Sequence, residues 1–313
     1  MRFKWKYLIM GLCLIIPIYF FISCCEECPQ CPEVEEFTQP GKIYFSCDRD
    51  GDEEICAVGE DGKHHEILTN DKYDNRYPDV SPDGTELIFY RDIGGDYEIF
   101  KMDIDGSNIV QLTDNIGISD ILARWSPDGL QIVYVQRPGY NSTLDDIWVM
   151  NADGSQKEPL QECNDADSQD SDPHWSPDGN TVVFISDRDR TNNEKDIYTF
   201  HIPSKQVNRL TTTTANHQDP IWSPDGSQIL FASDRDGSDL EIYIINIDDE
   251  GTNRLTDNNY DDDNPYWSPD GSKIVFDYDS TTNKDLYIIY ADGTGRKKLL
   301  DCDSSEAYPV WVR

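Results

Sequence analysis

Any chemistry in this chain has to come from its carboxylates. It carries 61 acidic residues against 26 basic ones, five histidines and nine cysteines, for a formal charge of −35. That balance argues against nucleic acid and against electrostatic docking on anionic lipid, since both repel a polyanion. No G-x-S-x-G elbow and no H-E-x-x-H occurs, so serine-nucleophile and zincin chemistry lack their motifs. Asp48-x-Asp50-Gly51 and Asp234-x-Asp236-Gly237 look like calcium loops. The glycine comes two places too early for an EF-hand, however, and the distal glutamate is missing. What remains is a set of polar groups at loop ends: Asp120, Asp170, Asp172, Asp219, Asp262, Asp263, Asn264 and Glu306, with His217 among them. Such a set can bind a partner through charge. With a metal and His217, it could instead support metal-assisted catalysis.

These residues must be positioned by a repeat. Trp-Ser-Pro-Asp-Gly stands at 125–129, 175–179, 222–226 and 267–271, and Val80 replaces the Trp at 80–84. Proline presets φ for a type I turn, and glycine supplies the left-handed residue that closes a hairpin with a bulge. The turn serines fall at 81, 126, 176, 223 and 268, so the spacings are 45, 50, 47 and 45 residues. Each turn is followed by an apolar strand (Gln228 to Phe231), a Ser-Asp-Arg-Asp-Gly loop (Ser233 to Gly237), a second strand (Glu241 to Ile245) and Arg254-Leu255-Thr256. A period in the forties with four short strands is the pattern of a propeller blade.

Five turns give five blades. Ahead of the first lie three strands of another, from Lys42 to Thr69. At the other end Tyr308-Pro309-Val310-Trp311-Val312 matches Asn264-Pro265-Tyr266-Trp267-Ser268 and then stops. The fragments are complementary. The expected fold is therefore all-β, a six-bladed β-propeller of four-stranded antiparallel blades, closed by the C-terminal strand pairing with three N-terminal strands.

The pattern D-x-x-P-x-W-S-P-D-G, apolar strand, S-D-R-D-G, I-Y, D-G, L-T resembles the propeller repeat of the TolB family, most clearly from Asp219 to Thr256 and over residues 42–313 as a whole. The resemblance implies an envelope location and binding of an envelope partner. In that family a globular domain precedes the propeller; here residues 1–41 stand in its place. Similar repeats also build oligogalacturonate lyases, which use a histidine cluster around a metal. One scaffold hosts many activities, so the repeat alone does not decide between binder and enzyme.

Residues 1–23 read as a signal peptide or signal anchor. Arg2, Lys4 and Lys6 precede an apolar run from Tyr7 to Ile22, and Phe21-Ile22-Ser23-Cys24 resembles a lipoprotein processing site with Cys24 acylated. An uncleaved anchor is the alternative. Residues 24–41 form an acidic, Cys- and Pro-containing tether. Cys25, Cys28 and Cys31 lack a fourth ligand for an iron–sulfur run. Cys47 and Cys56 flank one hairpin loop, about two positions out of register, and either a disulfide or two reduced core thiols fits. Cys163 and Cys302 fall in different blades and should not pair. The propeller spans 42–313.

Strand alternation sorts the loops onto two faces. Ser-Pro-Asp-Gly turns and third-to-fourth-strand turns share one face, short and uniform. Second-to-third-strand loops and the blade-to-blade crossovers share the other, long and acidic. Binding usually sits on such loops. The expectation is thus a non-catalytic, membrane-tethered, monomeric module that binds an envelope protein or polymer at the channel mouth of the acidic face, through the nine residues named above. No cofactor is expected, though a divalent cation at that mouth remains an option. The alternative is a metal-dependent carbohydrate-active enzyme using His217 and its neighbouring carboxylates. Acidic residues that merely form soluble turns would give the same composition.

Overall fold

The computed structural model describes residues 41–48, 51–139, 144–160, 163–164, 168–190, 194–237, 239–248, 251–280, 283–300 and 304–312. The expected targeting segment, Cys24 and the expected tether up to residue 40 lie outside them, as does Cys302. Among the described residues no helix is long and apolar enough to cross a membrane.

Six four-stranded antiparallel sheets make up the ring. Blade 1 is composite. Its inner strand is Ser305–Val312, hydrogen-bonded to Lys42–Asp48, then Glu53–Gly59 and Glu66–Ile67. The register sets Ile43 opposite Trp311 and Tyr44 opposite Val310. The chain's two ends thus build one blade, as their sequence fragments require. Blades 2 to 6 start from the inner strands Asn75–Val80, Ile118–Trp125, Asp170–Trp175, His217–Trp222 and Asp261–Trp267.

The turns form for the reasons the repeat supplies. Gly84, Gly129, Gly179, Gly226 and Gly271 all sit at φ of 70 to 73°, where a side chain would be strained. In each turn the serine hydroxyl accepts a backbone N–H from the second strand, as Gln131 donates to Ser126 at 2.9 Å. The same hydroxyl donates to the turn aspartate, 2.6 Å from Ser126 to Asp128. Those bonds hold the carboxyls of Asp83, Asp128, Asp178, Asp225 and Asp270 below the ordinary range.

Buried apolar clusters lie between blades. One joins blades 1 and 6 through Ile43, Phe45, Val275, Leu286 and Trp311. Another joins blades 3 and 4 through Val133, Ile147, Trp175 and Phe184, and every other blade pair has its own. Near-continuous apolar strands serve this packing, since both sheet faces are covered.

Cys47 and Cys56 form a disulfide across the first hairpin. Cys47 stands opposite Glu54 and Cys56 opposite Phe45, so the bridge runs diagonally on one face. It closes a loop with a sequence separation of 9. Chain-entropy arguments give such a loop about 2.5 kcal/mol. Treating the protein with dithiothreitol should lower its melting temperature by about 5 °C, and a Cys47→Ala/Cys56→Ala variant should melt at the lower temperature with or without the reductant. Equal melting of oxidised and reduced wild type would remove the bridge from the stability of blade 1. Cys163 is free and buried.

Candidate functional site

The inner strands carry the candidate residues in layers. At the entry of each strand stand Asn75, Asp120, Asp170, His217, Asp262 and Glu306. All are fully buried. Asp120 accepts from Asn115 at 2.7 Å and Gln136 at 3.1 Å. Asp170 takes a guanidinium N–H of Arg188 at 2.6 Å. Asp262 accepts from Asn258 at 2.6 Å, and Glu306 from the Ser304 hydroxyl at 3.0 Å. His217 bonds Ser233 at 2.9 Å and Thr213 at 3.1 Å, and burial depresses its pKa to about 3. It is a neutral, enclosed imidazole rather than a group presented at the mouth.

The sequence reading missed what engages this layer. A buried acid opens the third strand in four blades: Glu54, Glu98, Asp196 and Glu241. The threonine of the following Leu-Thr pair accepts the next backbone N–H, as Ile242 donates to Thr256 at 2.9 Å, and Thr211 donates to Asp196 at 3.0 Å. The acid also accepts from the crossover, with Asn258 N–H to Glu241 at 2.6 Å and Asn115 N–H to Glu98 at 2.7 Å. Asn258 and Asn115 then donate to Asp262 and Asp120 of the next blade. In blades 2 and 5 a chain of bonds therefore latches the third strand to the next blade's inner strand. The signal was in the repeat, as an acid before I-Y and a Thr after Leu.

Two residues further along each inner strand the backbone turns left-handed. Tyr77, Leu122, Asp172, Asp219, Asn264 and Tyr308 have φ between 46 and 59°. Each lies at a bulge where the register slips, for example between Ser171 and His174. The bulge aims these side chains into the channel. The Tyr77 hydroxyl crosses it, donating to Asn264 Oδ1 at 2.8 Å and standing 3.2 Å from Asp219 Oδ1. Its ring stacks on Tyr308 at 4.0 Å between centroids. The space left there is about 20 Å³, room for about one water. The channel is stoppered, not open.

Of the nine residues expected at the mouth, Asp172, Asp219 and Asn264 line this stopper, with Asp263 beside it. Burial raises the Asp219 carboxyl well above the ordinary range, helped by Asp172 and Asp263. Burial also raises Asp172 and Asp263, against the pull of Lys195 and Lys284 respectively. Asp277, behind Asn264, is pushed by burial to about 7 although Lys284 donates to it at 2.9 Å.

Among the described residues, Cys47, Cys56 and His65 bring one ligand atom each within 4.8 Å of one another. The two sulfurs are bonded to each other, so they are not thiolate ligands.

The profile of the TolB beta propeller domain matches residues 36–171 and 169–240. The chain belongs to this TolB propeller family. TolB from Acinetobacter baumannii superposes with a TM-score of 0.75 at 21% identity, over 87% of this chain and 66% of that one. A putative TolB from Agrobacterium tumefaciens gives 0.66 at 20% identity, over 87% of this chain and 99% of the other. An uncharacterized protein of Agrobacterium fabrum is 36% identical over 106 residues, 30% of this chain and 36% of its own length. The chain thus spans about a third of that relative and about two thirds of A. baumannii TolB. Enzyme-borne propellers match this TolB-like ring as well, in an oligogalacturonate lyase and a prolyl endopeptidase.

Proposed function

We propose that the protein is a non-catalytic interaction module of the cell envelope, tethered through its N-terminal segment, that captures an envelope protein or polymer on its crossover face. The observation that carries this reading is the pairing of exposed apolar side chains with an acidic, stoppered mouth. Ile116 on the crossover between blades 2 and 3 is 97% exposed. Ile93, Leu144 and Tyr260, on loops of the same face, are also exposed. Apolar anchors beside a charged centre suit docking of a macromolecule, with the charge giving rate and selectivity. Membership of the TolB propeller family supports an envelope setting. With His217 enclosed and neutral, the imidazole that the carbohydrate-active alternative would use is not presented at the mouth.

The test is capture from envelope extract on immobilised protein. Replacing Asp172, Asp219 and Asp263 by Asn should cut captured partner about tenfold at low salt and flatten its salt dependence. Ile116→Ser should reduce capture at every salt concentration. Asparagine keeps an oxygen to face the Tyr77 hydroxyl, and Ile116 is exposed, so the melting temperature should hold. Undiminished capture by both variants would defeat the assignment of this face.

A further inference from the structure

The opposite face holds a cavity that the short, uniform turns gave no reason to expect. Its volume is about 420 Å³, within the range of small-molecule sites. Its walls are Trp125, Trp175, Trp222, Trp267 and Trp311, one from each of five blades. In blade 2 the repeat's tryptophan is Val80, so one indole is missing from the wall. Beneath that gap lies Asp79, 5% exposed. One carboxylate oxygen takes the Trp125 backbone N–H at 2.7 Å. His174, Ile221 and Tyr266 complete the floor and separate the cavity from the stoppered channel.

Two features say what would fit. The charged residues lining the cavity are Asp79 and Asp83, with no lysine or arginine. Arg124, next to Asp79 in the floor layer, instead lines the channel side, its guanidinium 5.6 Å from the Tyr77 ring.

We propose that the turn-side cavity binds a small organic cation, an amine carrying an apolar body. The ammonium meets the Asp79 carboxylate below the Val80 gap, and the apolar body packs against the tryptophans. Indole walls attract a cation as well as covering apolar surface. This site lies on the face away from the crossovers and does not depend on the partner assigned there.

Phenethylamine, cationic at neutral pH, and phenethyl alcohol, its neutral isostere, are the probes. Binding is read by tryptophan fluorescence and by calorimetry. The amine should bind saturably and about tenfold or more tighter than the alcohol. Asp79→Asn should erase that difference. Val80→Trp restores the residue found in the other five blades, so the fold has room for it by repetition. It should abolish binding of both probes while partner capture on the crossover face persists.

Burial raises Asp79 to about 6, against the pull of Arg124. The groups facing it are Arg124, His174, held neutral with a pKa of about 3, and Tyr266, raised by burial. Amine binding should therefore weaken as pH falls through about 6, while alcohol binding stays flat. No saturable signal, equal binding of amine and alcohol, or full amine binding in folded Val80→Trp would each overturn the proposal. Should Val80→Trp fail to fold, the amine–alcohol comparison in wild type and Asp79→Asn decides alone.

Discussion

A chain ending at residue 304 should not reach a cooperative native state. The lost strand, Ser305–Val312, is the inner strand of blade 1 and pairs with Lys42–Asp48 along nearly its whole length. Without it, Lys42–Asp48 becomes an open edge, and the buried Ile43 and Tyr44 lose the cover of Trp311 and Val310. The clusters joining blade 1 to blades 6 and 2 both lose a member, so the damage spreads around the ring. Trp311→Ala is the graded version. The side chain is 3% exposed, and such a truncation typically costs about 3–5 kcal/mol. Size-exclusion chromatography and a thermal melt read both. The truncated chain should run as aggregate or expanded species, and a synthetic 304–313 peptide should restore a melting transition. A truncated chain that melts cooperatively at the wild-type temperature would show that the blade closes without its last strand.

The second large effect is expected at Asp196. This fully buried carboxylate accepts from Arg190 at 2.5 and 2.8 Å, from Arg209 at 2.5 Å and from Thr211 at 3.0 Å. It also stands 4.0 Å from His217. Asp196→Ala removes the buried anion the two guanidinium groups share, leaving Arg190 with Glu194 at 3.9 Å and Arg209 with Asp189 at 3.7 Å. Removing one partner of a buried ionic cluster costs about 3–5 kcal/mol, or roughly 6–10 °C for a domain of this size. Asp196→Asn keeps hydrogen-bond acceptance by one oxygen and should lose less. Urea unfolding should show the midpoint falling with little change in slope. A loss below about 1 kcal/mol for the alanine variant would mean that this buried ionic cluster adds little beyond the apolar packing of blade 4.

Blade number and ring closure were legible because they depend on repetition. Five turns of one type and two complementary fragments leave few arrangements, and the pairing of Ile43 with Trp311 realises one of them. The two-position offset of Cys47 and Cys56 was legible, as register follows from hairpin length, but it left a disulfide and two reduced thiols equally open, and the structure joins them. The roles of individual acids were not. Asp170 and Asp172 are two residues apart and chemically identical, yet one is enclosed with Arg188 and the other looks into the channel. What separates them is a bulge between Ser171 and His174 that reverses the expected alternation. Nor could the turn-face cavity be read directly. Val80 stood out as the one departure from tryptophan, but a missing indole means a cavity only once the other five are known to share a wall.

The left-handed bulge on each inner strand has an evolutionary corollary. Six positions, now Tyr, Leu, Asp, Asp, Asn and Tyr, adopt the same backbone despite different side chains. A residue with a β-carbon gives up about 1 kcal/mol or more to do so, and the surrounding blade imposes it regardless of identity. The throat of the ring therefore behaves like a six-character combination lock whose letters can be reset one at a time without redrawing the case. Descendants of one propeller could change what they recognise by drift at these positions alone.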